Sequence, residues 1–299
     1  MNRFFRDPNR GWHNPEYVRD VDGNREPNGN IDPAYRGNGD GNLDQPRRGN
    51  RLGMRPDETK IYGVNACLKV FERRPDAIVR AYISTSVARR FGHMMRHMAS
   101  MKRAYHLIED DAELERVTQS QHHGGVCLLI KKRPVINPGE FLAQTAGLER
   151  DCVVALEDVS NPHNVGAVMR SCANFGVRGL LLRNATVAQS GAAVRTAEGG
   201  AEHVEIVESP WFDEAMQAFR AAGYGIVTTS AHEGVDLFEA ALPPRAVFLF
   251  GEESRGLSDE ALATGDVCVR VPGTGNVESL NVGISAAIIL AEWWRRTHR

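Results

Sequence analysis

Hydrophobic positions are spread unevenly along the chain. Residues 1 to 58 are dominated by Gly, Asn, Pro, Asp and Arg, with no apolar run at a period of 2 or 3.6. That pattern predicts a disordered tail. From Ile61 the texture becomes periodic. YGVNACLKVFERR predicts a short amphipathic helix, AIVRAYIS (77–84) a strand, and VARRFGHMMRHMASMKR (87–103) a helix with a basic polar side. AYHLIED, AELERVTQS and GVCLLIKKR (125–133) predict a strand, a helix and a strand ending in three cations. Together they predict a small α/β domain over 59–140. Pro134 and the NPGE turn at 137–140 open a connection, and 141–151 is expected to be a linker.

From Cys152 the pattern is apolar strand, turn, helix, repeated: VVALEDV, GLLLRN, HVEIVES, GIVTTSA, AVFLFGE and VCVRVPG. Near-continuous apolar strands alternating with helices predict an α/β domain whose parallel sheet is covered on both faces, over 152–299. The chain closes with LNVGISAAIILAEWWRRTHR, a helix with apolar residues at 282, 284, 288 and 289 and cations in its last turn.

Composition narrows the class. The 299 residues are 42% hydrophobic and 25% charged, ordinary globular usage and enough for about two domains plus an extension. No apolar run reaches the roughly 20 residues of a membrane helix, and the first residues, MNRFFRDPNRGWHNP, lack a signal-peptide core. A cytoplasmic protein is expected. The five cysteines include no C-x-x-C pair, which argues against a disulfide scaffold or a zinc site. The net charge of -2 conceals a segregation: residues 59–140 carry 14 Lys+Arg against 8 Asp+Glu, whereas 141–299 carry 12 against 20. The basic segment is the candidate for a polyanionic partner. By charge alone the candidate RNA contacts are Arg89, Arg90, Arg96, Lys102, Arg103, Lys131, Lys132 and Arg133. In the tail, Arg-Gly pairs alternate with Phe4, Phe5, Trp12, Tyr17 and Tyr35; both a single-strand RNA contact and a solubilising tail fit this pattern.

Three segments carry candidate chemistry. Ser160-Asn161-Pro162 predicts a helix start, and Gly176 its stop, with Val165, Val168, Met169 and Cys172 toward the sheet. Gly166, Ala167, Arg170 and Asn174 then share the other face, where the glycine one turn before Arg170 is expected to leave room for a ligand or a second subunit. GEESRGL (251–257) and VPGTGNVESLN (271–281) follow two predicted strands, at the sheet end where α/β proteins bind ligands. A dinucleotide fingerprint is excluded because Glu278 stands where its last glycine would be, and there is no P-loop.

In order and spacing, ALEDVSNPHNVGAVMRSCANFGV (155–177), VFLFGEESRGLS (247–258) and VRVPGTGNVESLNVGISAAIILAEWW (269–294) resemble the three motifs of the SpoU or TrmH-type RNA 2′-O-ribose methyltransferases of the SPOUT superfamily. KIYGVNACLKVF and HHGGVCLLIK resemble the ends of the ribosomal-protein-like substrate-binding domain that often precedes them. The layout, with TAEGGAEHV at 196–204, is most similar to the YfiF-like subgroup of tRNA/rRNA methyltransferases.

The resemblance implies a deep trefoil knot, otherwise nearly absent from proteins, a homodimer with Arg170 at its interface, and S-adenosylmethionine held by backbone groups around Leu249, Gly251, Val271, Leu280 and Asn281. It implies a catalytic set of Arg170, Asn164, Glu253, Ser279 and Asn281. Within that set Asn164 and Asn281 would orient Arg170 and the ribose, Ser279 would hydrogen-bond in the site, and Glu253 would pair with backbone N–H groups or Arg170. A guanidinium stays protonated, so Arg170 is expected to clamp phosphate and stabilise an alkoxide, not to act as base. Two positions depart from the pattern: Asn161 replaces an aspartate, which serves equally as a cap, and Gly273 replaces a methionine after Pro272, which would loosen the cofactor loop. No metal is implied. The other reading is a catalytically idle RNA-binding or ribosome-assembly protein of the same fold; intact Arg170, Asn164 and Asn281 argue for the enzyme.

Overall fold

The computed structural model describes residues 54–298, preceded by four three-residue strands, β1 (Phe5–Asp7), β2 (Gly11–His13), β3 (Tyr17–Arg19) and β4 (Arg25–Pro27). These pair antiparallel two by two. The rest of the tail to residue 53, where disorder is expected, lies outside the described residues.

The first sheet of residues 54–298 has the order β5-β8-β6-β7, from β5 (Glu58–Tyr62), β6 (Ile78–Ser84), β7 (Ala104–Ile108) and β8 (Val126–Lys131). Helices α1 (Val64–Arg73), α2 (Gly92–Ser100) and α3 (Asp111–Thr118) connect its strands. Strand β5 corrects the sequence reading, which placed residues up to 58 in the tail and began a helix at Tyr62. It exists because it pairs antiparallel with β8, Ile61 opposite Leu128, some 65 residues away and invisible to a local pattern. Gly63, at φ +95°, turns the chain from strand into α1.

The expected linker is also structured. Asn137 and Glu140 form a reciprocal capping box at the start of α4 (Pro138–Gln144). Its Phe141 is fully buried under Gly179, where any side chain would strike the ring. Burial of an apolar ring contributes about 2–3 kcal/mol, which explains why the segment docks instead of hanging free.

The second sheet is parallel, in the order β11-β10-β9-β14-β12-β15-β13. Its strands are β9 (Asp151–Leu156), β10 (Gly179–Leu182), β11 (Glu205–Glu208), β12 (Gly225–Thr229), β13 (Val235–Asp236), β14 (Arg245–Phe250) and β15 (Val267–Arg270). Alternate residues serve opposite faces. Val154, Phe248 and Phe250 pack with Val165, Val168, Ile289 and Trp293 of α5 (Pro162–Asn174) and α9 (Val282–Thr297). Val153, Val247 and Leu249 pack under α7 (Phe212–Ala221) and α8 (Asp259–Ala263). Ile284, read from sequence as part of the apolar face of α9, is exposed; the buried face runs through Ala286, Ile289, Leu290 and Trp293.

The gap expected beside Gly166 is filled. A Cβ there would lie 2.5 Å from the Ala193 carbonyl and 2.6 Å from Thr196 Cβ, both on α6 (Gly191–Thr196). The glycine serves helix–helix contact and leaves no ligand space. Helix α6 docks in turn on the first sheet, with Gly191 against the Tyr62 ring and Lys60 carbonyl. One continuous apolar core therefore runs from Ile61 and Val70 to Met169 and Leu290.

Two stability predictions follow from this packing. Gly166→Ala should cost about 1–3 kcal/mol by overpacking, read as a lower urea midpoint with unchanged slope; an unchanged midpoint would show the glycine to be incidental. Buried Glu292 accepts from Arg295 (2.7 Å) and Arg296 (2.6 Å), which hold its carboxyl down at about 2 against the ordinary 4.5. A lowered carboxyl pKa adds stability above the unfolded value, so this contribution is lost as pH falls from 4.5 toward 2. Glu292→Gln should therefore flatten the wild type's loss of melting temperature over that window.

Candidate active site

Strand order reverses direction between β9 and β14: the chain builds outward through β10 and β11, then returns to lay β14 on the other side of β9. In open parallel sheets such a switch point opens a crevice at the strand C-termini. The loops that leave β9 and β14 meet there. Glu157, buried just beyond β9, accepts from the Ser258 backbone N–H (2.9 Å) and hydroxyl (3.0 Å) and pairs with Arg183 (3.1 Å). It anchors the far end of the 251–258 loop. The near end folds on itself, because a Cβ on Gly251 would overlap the backbone of Gly256 and Leu257.

The third loop, 271–281, reaches this crevice through Asn281. That side chain caps α9 by accepting from the Gly283 N–H (2.9 Å), which fixes its carbonyl oxygen on the helix. Its amide group is left to donate to Asn164 Oδ1 (3.0 Å) on α5 and to Glu253 Oε1 on the second loop. One carboxamide thus joins all three sequence motifs. Gly283 permits the close approach, since a Cβ there would sit 2.9 Å from Ala167 Cβ.

Arg170 stands apart from this junction. Six residues beyond Asn164, it lies roughly 240° around the helix and about 9 Å along it. Its side chain is exposed and has no hydrogen bond or ion pair among the described residues. Within one chain Arg170 meets neither Asn164 nor Asn281, and Glu253 pairs with Asn281, not with Arg170 or a backbone N–H of the described residues. The three partners bind one another, because the Asn281 amide sits between two acceptors. Ser279 is exposed and makes no side-chain hydrogen bond among the described residues.

Among the positions expected to hold a cofactor, Leu249 is buried with its carbonyl accepting from the Thr229 hydroxyl (2.8 Å), Val271 is half-buried and Leu280 exposed. Across 271–280 no backbone group bonds to another backbone group of the described residues. A loop with unpaired N–H and C=O groups beside exposed Val277 and Leu280 suits a ligand read by the backbone. Gly273 lies in open space within it.

Of the basic candidates, Arg89, Arg90, Arg96, Lys102 and Lys131 are exposed. Three others are bound by the fold. Arg103 donates to the carbonyls of Pro75 and Ile78 (both 3.0 Å), and Lys132 to that of Pro56 (2.9 Å). Arg133 bridges to Val204 (2.9 Å), Ala201 and Glu205 of the second sheet's side. Backbone carbonyls at loop ends need donors, and these long side chains supply them. Sequence reasoning gave no role to Glu157, although the ALEDV segment displays it as an acidic residue ending an apolar strand.

Residues 60–135 match the RNA 2′-O ribose methyltransferase substrate-binding family, and residues 151–291 match the SpoU rRNA Methylase family. The chain belongs to the SpoU rRNA methylase family. The uncharacterized tRNA/rRNA methyltransferase YfiF of Escherichia coli O157:H7 is 47% identical over 243 residues, covering 81% of this chain and 70% of that protein. An uncharacterized tRNA/rRNA methyltransferase of Haemophilus influenzae is 37% identical over 245 residues, covering 81% and 68%. The AdoMet-bound rRNA methyltransferase from Sinorhizobium meliloti shares the fold, with a TM-score of 0.65 at 21% identity over 80% of this SpoU chain and 88% of that one. No helix among the described residues is long and apolar enough to cross a membrane, and no cluster of potential metal ligands occurs among them.

The junction has a separable test. Asn281→Asp keeps the cap acceptor but sets a carboxylate against Glu253, whereas Asn281→Ala loses the cap as well, about 1 kcal/mol. The aspartate variant should stay the more stable in urea, yet both should be cut faster than wild type within 271–280 by a protease. Equal cleavage rates in wild type and both variants would show that Asn281 does not hold the loop.

Proposed function

We propose that this chain transfers the methyl group of S-adenosylmethionine to a ribose 2′-hydroxyl of tRNA or rRNA. The observation that carries the reading is the Asn281 junction, which gathers the three motifs of a SpoU methylase at the sheet's switch point. The 271–280 segment, without backbone-to-backbone hydrogen bonds among the described residues, and the folded-back loop at Gly251 suit the donor. When bound, it would supply an electrophilic methyl on a sulfonium: the ribose oxygen would form the new O–C bond as the S–C bond breaks, S-adenosylhomocysteine would leave as the neutral thioether, and the hydroxyl proton would pass to solvent. On this reading residues 59–140 form the substrate-binding domain and 152–299 the methylase domain.

A guanidinium donates and does not accept, so Arg170 stabilises the developing alkoxide and the neighbouring phosphate and leaves the proton to solvent. Its distance from Asn164 along α5 supports a homodimer in which each chain's Arg170 completes the partner's site. The exposed Ile284 and the half-buried Ile288 on α9 offer an apolar face for such pairing. A knotted C-terminal segment fits the return of α9 from β15, beyond β12, to pack on α5 beside β9. Cytoplasmic location follows from the reading, as tRNA and rRNA are there.

Calorimetric titration with S-adenosylmethionine, then labelled-methyl incorporation into total RNA from a strain lacking the gene, tests the activity. Arg170→Ala should slow incorporation roughly 30- to 1,000-fold, corresponding to about 2–4 kcal/mol for one oxyanion donor, with donor affinity unchanged. Co-expressed Arg170→Ala and Asn281→Ala chains should regain activity that neither has alone; mixed chains as inactive as each parent would exclude the shared site. Absence of both donor binding and incorporation in wild type would overturn the enzyme reading.

A further inference from the structure

The TAEGGAEHV segment takes no part in the junction of the three loops, yet it is built around two close approaches. Gly199, at φ +92°, would place a Cβ 3.0 Å from Lys69 Cβ on α1, and Gly200 would place one 3.0 Å from the Cα of Arg170 on α5. Two bare backbone positions are thus wedged between a helix of the first sheet and a helix of the second. Lys69 and Arg170 consequently line one open cleft of about 280 Å³, completed by Asn174, Glu198 and His203.

The charges around this cleft are unequally committed. Glu202 is buried and paired with Arg74 (2.7 Å), and Glu198 accepts from Asn65 (2.7 Å). Lys69 meets Glu72 (2.6 Å) one turn along α1, with Glu72 exposed to solvent. Such an exposed i,i+3 pair is weak, so Lys69 can turn to a stronger anion. Burial first, and then the nearby charges of Arg73 and Lys69, lower the His203 pKa. Arg170 has no partner among the described residues.

We propose that this cleft binds a phosphate of the RNA backbone between Lys69 and Arg170, so that the first sheet's domain and the methylase domain grip the same strand next to the reacting ribose. Lys69 acts as a positioning residue: it fixes the strand on which Arg170 works. The choice of RNA as the occupant rests on the methyltransferase reading above. The two glycines are the device that sets the spacing of the two cations.

The test uses the full chain and fluorescein-labelled bulk tRNA and fragmented rRNA from a strain lacking the gene, over a series of salt concentrations. Lys69→Ala should weaken binding about 5- to 10-fold at low salt and lower the slope of log affinity against log salt by about one unit. Lys69→Glu should weaken it further, Lys69→Arg should retain most of it, and calorimetric donor affinity should be unchanged in all three. Combining Lys69→Ala with Arg170→Ala should weaken binding less than the product of the single effects, because both hold one phosphate. Wild-type affinity and slope in a folded Lys69→Glu chain would overturn the cleft and leave the methyltransferase reading intact. A Lys69-dependent slope without methyl incorporation would uphold the cleft and overturn that reading; no RNA binding by wild type would end both.

Discussion

The geometry at the sheet's switch point depends on one side chain whose two amide hydrogens are both committed. Asn281 has one carbonyl oxygen and two amide protons, and α9, α5 and the 251–257 loop take them all. Because the oxygen must cap the helix, the amide protons can only face the other two motifs, so the cap that starts α9 also fixes its entry angle over α5. A longer or purely accepting side chain would keep one of these bonds and break the others. Glu157 does the complementary task from the β9 side, holding Ser258 while Gly251 folds the loop on itself. The loops are thereby oriented by side chains, while no backbone group over 271–280 bonds to another backbone group of the described residues.

The same economy of contact governs the join between the two sheets. Gly166, Gly191, Gly199 and Gly200 each sit where a Cβ would meet another element. Close backbone approach at these positions lets α5, α6 and α1 share one apolar core, so the basic segment of the chain is held against the acidic one at a fixed spacing. Buried Glu202 with Arg74, and Arg133 on the Ala201 and Val204 carbonyls, add directional bonds to this join. Cations committed in this way support the interface, and the exposed ones remain for a polyanion.

Much of this was legible in the chain itself. The parallel sheet with helices on both faces followed from six apolar runs alternating with amphipathic stretches, and α5 began and ended within a residue of its predicted caps. The motifs that identify the family are local strings, so Asn164, Glu253 and Asn281 could be picked out as a set before any contact was known. The helical periodicity also placed Val165, Val168, Met169 and Cys172 correctly on the buried face.

Tertiary structure decided how those pieces meet. Strand β5 forms only because β8 offers an edge far along the chain, and α4 only because Phe141 finds Gly179. Whether the glycine before Arg170 was an opening or a contact, and whether Asn281 served Arg170 or Glu253, depended on which neighbour α6 and the 251–257 loop brought there. A sequence specifies backbone preference, charge and the face a side chain takes on its own element, since these are set by residues within a turn or two. Distances between elements are set by mutual exclusion of atoms from remote positions, and only the packed chain fixes them.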